Sequence, residues 1–326
     1  MAVLLVTGGA GFIGSHLVDR LLSLGYRVRV LDDLSTGTRT NVDSRCELVV
    51  GDVTDPAIVR RAFTDVAGCF HLAAIASVAR SNEDWIGTHR ANATGTVTVF
   101  DAARAAGAVP VVYASSAAVY GAQGQGMITE TVPLAPRTAY GADKLASELH
   151  ARVAFEVHGV PTLGFRFFNV YGPRQDPSSP YSGVISLFAA RLAAGQTLRI
   201  HGDGGQTRDF VFVADVVERL LRGMDLLRRE PQAEVLNVCT GRATSIHDLA
   251  VVLTSLAGCP AEFEFGPTRP GDIRASLGDP SAARRKLGEM DMIGLREGLA
   301  ATLAAMRPGT PRAEVQAMQT SIKAAS

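Results

Sequence analysis

The sequence predicts an α/β fold built on a doubly wound parallel sheet, with a smaller α/β region attached. Three observations predict it. Through the first half of the chain, short apolar runs alternate with stretches of helical spacing. A run without polar alternation is a strand buried on both faces, as in a parallel sheet covered by helices. Gly25, Gly107 and Gly159 follow the helical stretches, where a left-handed C-terminal residue is expected. The first apolar run also leads straight into a glycine-rich turn, Thr7-Gly8-Gly9-Ala10-Gly11-Phe12-Ile13-Gly14, that opens the first helix.

Taken in order, strands are expected at Val3–Val6, Val28–Leu31, Leu48–Val50, Cys69–Leu72, Val109–Ala114 and Thr162–Phe168. Helices are expected at Ile13–Leu24, Thr88–Ala106 and Ala139–His158. These place a Rossmann-type, cofactor-binding domain at residues 1–168, which also receives elements from about 209–240. Beyond Asn169 the rhythm loosens: Pro173, Pro177 and Pro180, interspersed with serines, mark a long loop. A helix near Val184–Ala194, strands at Leu198–Ile200, Val235–Val238 and Glu262–Phe265, and helices at Asp215–Leu227 and Ile246–Ala257 follow. Residues 169–326 are therefore read mainly as a substrate domain, and the alanine-rich stretch after Pro308 is expected to fray.

Composition narrows the function class. Among 326 residues, 32 Lys and Arg balance 32 Asp and Glu, which argues against a polyanion or an anionic membrane as the main partner. The four cysteines (Cys46, Cys69, Cys239, Cys259) form no CxxC pair, and Met1–Val6 lacks the basic start and apolar stretch of a signal peptide. Reduced thiols in a cytoplasmic protein are expected. The long uncharged stretch between Arg104 and Glu130 is broken by Pro110, Gly121 and Gly124 and cannot span a membrane. Seven dispersed histidines show no metal-ligand spacing, so no metal is expected.

The glycine turn has the context that gives such a motif meaning: a strand before it, an amphipathic helix after it, and an acid closing the second strand. Gly8, Gly11 and Gly14 allow a tight turn and let a pyrophosphate reach the helix N-terminus, where free N–H groups and the dipole favour anions. Asp32, with Asp33 beside it, is placed to meet the adenosine ribose, and its carboxylate would repel a 2′-phosphate; NAD is expected over NADP. Asp52 and Val53 after the third strand, and Leu72, Ala73 and Ala74 after the fourth, lie at strand ends, where open α/β sheets bind ligands.

Tyr140 and Lys144 are four residues apart at a helix start, hence on one face. An ammonium beside a phenol favours the phenolate, making the tyrosine usable as an acid or base near neutrality. Ser115 and Ser116 end the fifth strand, and their hydroxyls are expected over the same sheet edge.

With these residues assembled, the chain resembles the extended short-chain dehydrogenases, and among them the UDP-glucose/UDP-N-acetylglucosamine 4-epimerase type. The resemblance is carried by TGGAGFIGSHL (7–17), DDLSTG (32–37), GDVTD (51–55), HLAA (71–74), SSAAVYG (115–121), YGADK (140–144), RFFNVYGPRQ (166–175), GDGGQTRDFVFVADV (202–216) and RPGD (269–272). It implies a catalytic set of Ser116, Tyr140 and Lys144. It adds Phe12, Ile13, Ser35, Thr36, Gly37, Asn92, Ala114, Ser115, Phe167 and Val170 to the cofactor set. It implies sugar-nucleotide contacts from Asn169, Arg208, Arg269 and Asp272; arginines suit a diphosphate because they grip oxygens in pairs. Family members of this type pair their counterparts of the 88–106 and 139–158 helices in a homodimeric four-helix bundle.

The resemblance also bears on the reaction. Relatives that dehydrate the sugar carry Asp-Glu after the serine pair, whereas this chain has Ala117 and Ala118, which move no protons. Epimerisation at C4 through a 4-keto sugar is expected; 4,6-dehydration, decarboxylation and uronate epimerisation are the alternatives, and a non-catalytic NAD-binding protein is the non-enzyme one. Where narrow UDP-galactose enzymes have a tyrosine four residues after the RPGD aspartate, this chain has Ser276, leaving room for an N-acetyl group. The stretches 76–81, containing Ser77, and 175–184, containing Gly183 and Val184, resemble the UDP-N-acetylglucosamine-favouring group.

Overall fold

The computed structural model describes residues 3–124, 126–176, 183–260, 262–268 and 273–306. In chain order the elements are β1 (Val3–Thr7), α1 (Phe12–Ser23), β2 (Arg27–Asp32), β3 (Glu47–Val50), α2 (Pro56–Ala62), β4 (Val66–His71), α3 (Val78–Glu83), α4 (Trp85–His89), α5 (Gly95–Ala105), β5 (Val111–Ser116), α6 (Ala139–His158) and β6 (Thr162–Phe167). There follow β7 (Asn169–Tyr171), α7 (Val184–Ala193), β8 (Leu198–His201), β9 (Thr207–Phe212), α8 (Val213–Arg229), β10 (Ala233–Val238), β11 (Ala243–Ser245), α9 (Ile246–Ala257), β12 (Phe263–Gly266), β13 (Ala275–Ser276), α10 (Ser281–Leu287) and α11 (Leu295–Ala305). The chain forms two compact units, one of Met1–Gly121, Glu130–Phe167 and Val217–Asn237, the other of Ala122–Thr129, Phe168–Val216 and Val238–Ser326. The stretch after Pro308 lies outside the described residues.

The first unit is built on a seven-stranded sheet of order β10-β6-β5-β4-β1-β2-β3. The β1–β2, β1–β4, β2–β3, β4–β5 and β5–β6 pairs are all parallel. Every residue of β1 and β6 is buried, which is why both read as unbroken apolar runs around a few small or satisfied polar groups. The strand order reverses between β1 and β4; in open α/β sheets ligands bind at the C-terminal ends of the strands flanking such a point.

The helix ends follow the expected chemistry. Gly25, Gly107 and Gly159 have φ of +82°, +93° and +69°, the left-handed region that stops a helix at little cost to glycine. Thr138 caps α6 by accepting the Gly141 N–H at 3.0 Å. Asp55 caps α2 by accepting from Ala57 and Ile58, with Pro56 at the first position. That seven-residue helix is too short to show an apolar stripe in sequence. The helix expected over 88–106 is continuous in direction but widens into a π-turn at Arg90–Thr94, between α4 and α5.

The second unit carries smaller sheets. In one, β9 is paired by β7 and β13 in parallel and by β11 antiparallel; in the other, β8 pairs β12. The buried Asp209 on β9 accepts from the Thr240 N–H and hydroxyl and from the Gly241 N–H, tying the strand to the loop between β10 and β11. Tyr171 meets Phe210 and Phe212 edge to face and donates its hydroxyl to the Leu295 carbonyl at 3.3 Å, closing the core over α11.

Candidate active site

The glycine turn is fixed by close backbone approach. Gly8 has φ +71°, and a Cβ there would stand 2.6 Å from the Ala73 nitrogen, so the loops after β1 and β4 touch. At Gly14 a Cβ would collide with the Gly8 carbonyl, so only glycine lets α1 start against the turn. No side chain caps α1, whose N-cap is Gly11, and no acid lies in its first turn. Its leading N–H groups, next to Phe12 and Ile13, are thus presented to an anion rather than to the protein's own carboxylates.

The two aspartates ending β2 divide their work. The Asp32 side chain is only 6% exposed. Its oxygens accept from the Ala10 and Leu34 N–H groups, both at 2.9 Å, and burial pushes its carboxyl pKa up. Asp32 therefore braces the glycine turn. Asp33 is exposed and accepts the Ser35 N–H and hydroxyl. Thr36 is exposed beside them, and Gly37 is so close to Ala10 that a Cβ would clash. Asp52 is exposed and accepts the Thr54 N–H, while Val53 is buried beneath Gly95.

The loop after β4 is held from both sides. Leu72 N–H donates to the Thr7 carbonyl and Ala73 N–H to the Thr7 hydroxyl, with the partly buried Ala74 next in line. Asn92, in the π-turn, accepts from the Ile75 N–H at 2.8 Å and donates to the Ile75 carbonyl. π-turns of this kind often mark functional positions. His71 was quoted only as part of HLAA, yet it links both arrangements. Its ring nitrogens meet Thr7 Oγ1 at 2.7 Å and Thr96 Oγ1 at 3.0 Å. The Thr96 hydroxyl spends its proton on the Asn92 carbonyl, so Nε2 must donate and Nδ1 accept from Thr7. Burial, with the Lys144 charge second, pushes the His71 pKa down to about 3 and keeps the ring neutral.

Ser116, Tyr140 and Lys144 converge at the C-terminal end of β5. Ser116 hydrogen-bonds the Tyr140 hydroxyl, favouring the phenolate, and accepts the Ala118 N–H at 3.2 Å. Lys144 is 4% exposed, donates to the Ala114 carbonyl at 2.9 Å and lies over the Tyr140 ring, 5.8 Å from its centroid. The phenol pKa is raised rather than lowered, because burial outweighs the Ser116 bond and Lys144 offers its charge to the ring and the Ala114 carbonyl. Burial pushes Lys144 the other way, down to about 8, against the carboxylates of Asp143 and Glu148.

Ser115 departs from its expected orientation. Successive strand residues face opposite sides, and its hydroxyl donates to Glu148, which is paired in turn with Arg166 at 2.7 Å. Arg166 also donates to the Tyr120 hydroxyl and the Glu130 carbonyl. Phe167, the last residue of β6, stacks on Phe165.

In the second unit, the β9–β13 register places Ser276 opposite Arg208, whose guanidinium is anchored on the Thr207 and Ile273 carbonyls. Asn169 and Val170 lie on β7 against Phe210 and Val211 of the same central strand. Gly183 and Val184 form the N-cap and first residue of α7. Arg269 and Asp272 lie outside the described residues.

A dinucleotide turn at the switch point, with a serine, tyrosine and lysine at the next strand end, defines an enzyme that uses a bound nicotinamide on a hydroxyl-bearing carbon. The chain belongs to the NAD dependent epimerase/dehydratase family, whose model matches residues 4–239. It is 40% identical over 318 residues to a UDP-glucose 4-epimerase of Mycolicibacterium smegmatis, covering 93% of this chain and 98% of that one. A Thermotoga maritima UDP-glucose 4-epimerase solved with UDP-glucose superimposes with a TM-score of 0.89 at 35% identity, over 94% of this chain and 98% of that one. A UDP-N-acetylglucosamine 4-epimerase from Methanobrevibacter ruminantium gives 0.88 at 31% identity, over 93% and 97%.

Proposed function

We propose that the protein is an NAD-dependent UDP-hexose 4-epimerase that interconverts the C4 stereoisomers of UDP-GlcNAc and UDP-GalNAc, UDP-Glc and UDP-Gal, or both pairs. The convergence of Ser116, Tyr140 and Lys144 beside the glycine turn carries this reading. The turn fits the cofactor: α1 starts from Gly11 with no side-chain cap and no acid in its first turn, and the exposed Asp33 offers a carboxylate suited to ribose hydroxyls. When bound there, NAD supplies the hydride acceptor and donor at C4.

Tyr140 takes the proton from the C4 hydroxyl and gives it back after the ketone has turned over. Ser116 donates to the same oxygen and steadies its changing charge. Lys144, one helical turn away, places its positive charge over the Tyr140 ring and holds the phenol against the end of β5 through the Ala114 carbonyl. Ala117 and Ala118 follow Ser116 in a 3₁₀ turn and provide no acid or base for removing water across C5 and C6, which favours epimerisation over dehydration. Arg208 and Ser276, adjacent in the second unit, are assigned to the sugar nucleotide, with Ser276 leaving space for an N-acetyl group.

Leu149, Val153 and Val157 are 56%, 47% and 69% exposed at four-residue intervals on α6, an apolar stripe that supports a homodimer through this helix. The four cysteines form no disulfide, which suits a cytoplasmic setting. Among the described residues, no helix is long and apolar enough to cross a membrane. Incubation with UDP-glucose, UDP-N-acetylglucosamine and UDP-glucuronate, followed by chromatography, tests the assignment. Mixtures of C4 epimers are expected, whereas a stable 4-keto or decarboxylated sugar would move the protein to a sister reaction.

A further inference from the structure

Ser81 is fully buried on α3, far in sequence from the catalytic helix, yet its hydroxyl oxygen accepts the backbone N–H of Tyr140 at 3.2 Å. The geometry leaves that oxygen little freedom. Its own proton goes to the Val78 carbonyl at 2.6 Å, so a lone pair is left for Tyr140. Tyr140 occupies the second position of α6, where a helix has N–H groups without internal partners. Thr138 satisfies the next of these, at Gly141, from within the same segment. The one at Tyr140 is satisfied from another element altogether. α3 is itself pinned by Ser77, which accepts the Arg80 N–H at 3.1 Å and so forms its N-cap.

We infer that Ser81 is a positioning residue for the proposed reaction: by capping the Tyr140 N–H from α3 it sets where the catalytic phenol stands relative to Ser116. The inference rests on the epimerase reading. With Ser81 in place, the first turn of α6 cannot drift along β5, and the Ser116–Tyr140 hydrogen bond that favours the phenolate is kept. Without it, the Tyr140 N–H loses its acceptor, and the turn moves to satisfy it elsewhere. Small displacements of a reacting group are costly, on the order of a hundred-fold in rate per ångström.

The test compares wild type, Ser81→Ala and Thr138→Ala on the holoenzyme. Both variants lose one capping acceptor on α6, so both should lower the thermal midpoint to a similar degree. Ser81→Ala is expected to lower kcat about ten-fold with KM nearly unchanged, and to move the acid limb of kcat/KM to higher pH, because the phenolate loses its serine donor. Ser81→Thr, which keeps the hydroxyl, should restore the limb. Thr138→Ala should keep the wild-type limb. A second readout needs no turnover: the difference in phenolate absorbance between each protein and its Tyr140→Phe derivative should titrate at higher pH in Ser81→Ala alone. Matching pH profiles and titrations in wild type and Ser81→Ala would overturn the inference. A wild type that epimerises none of the UDP-sugars would instead overturn the functional reading, and the phenol titration would still decide what Ser81 does.

Discussion

Lys144 lies above the ring of Tyr140, 5.8 Å from its centroid, and spends its hydrogen bond on the Ala114 carbonyl at the end of β5. A buried ammonium in this position is maintained for chemistry at the expense of stability. Its pKa is pushed down to about 8 by burial, so the folded state sheds a proton more readily than the unfolded one. Between about pH 8 and its ordinary value the folded chain holds fewer protons, and stability should rise with pH through that window, with the full cost present below it. Lys144→Met should therefore abolish epimerisation while resisting urea better at pH 7, by on the order of 2 kcal/mol. Wild-type activity should decline as pH rises through about 8, where Lys144 loses its charge. Urea midpoints and a pH–rate profile check both statements.

The buried Glu148–Arg166 pair should behave in the opposite sense. Removing one partner strands a charge, so Glu148→Gln or Arg166→Met should cost about 3–5 kcal/mol. Converting both to apolar residues should recover most of that loss, and a double-mutant cycle in urea measures the difference.

Gly14→Ala places a methyl group against the Gly8 carbonyl. The purified variant should carry little NAD, and adding the cofactor should raise its thermal midpoint far less than that of the wild type. Nucleotide content by absorbance and a thermal scan with and without NAD provide the check.

Ser276→Tyr puts an aromatic ring at the position paired with Arg208 on β9. Turnover of UDP-GlcNAc and UDP-GalNAc should fall at least about ten-fold while any activity on the unacetylated pair persists, since packing differences of this size discriminate by roughly 10–200-fold. Equal loss on both pairs, or none, would sink the pocket argument.

Val153→Glu interrupts the exposed stripe on α6 with a charge. Sedimentation should show a shift from dimer to monomer with the fold intact by circular dichroism. A wild type that is monomeric at micromolar concentration would remove the dimer from the proposal.

Much of the first unit could be read in the chain because its signals are local. β1, the glycine turn and α1 are contiguous, and α6 runs 20 residues between Thr138 and Gly159, long enough for its period to show. What escaped the reading depends on distant partners. β7 and β13 are strands of three and two residues, and their pairing with β9 lies far away in sequence. The inward turn of Asp32 depends on the Ala10 N–H, and the outcome for Ser115 depends on Glu148; neither partner is marked by spacing. Helical spacing gives Tyr140 its Lys144 neighbour but not the burial that raises the phenol pKa. His71 sat in a recognisable motif, while its role as a neutral connector between Thr7 and Thr96 needed the fold.

The π-turn at Arg90–Thr94 makes angular phase, rather than length, the quantity that this helix must preserve. A π-turn is in effect one extra residue accommodated without breaking the rod. Deleting Ala91 would let the segment relax to ordinary winding as a continuous helix, with His89 still facing Asp143, to which it is bonded at 2.6 Å, and Ser81 still at the start of α6. A second deletion in the same segment would find no slack left, and everything before it would rotate by roughly 100° about the axis.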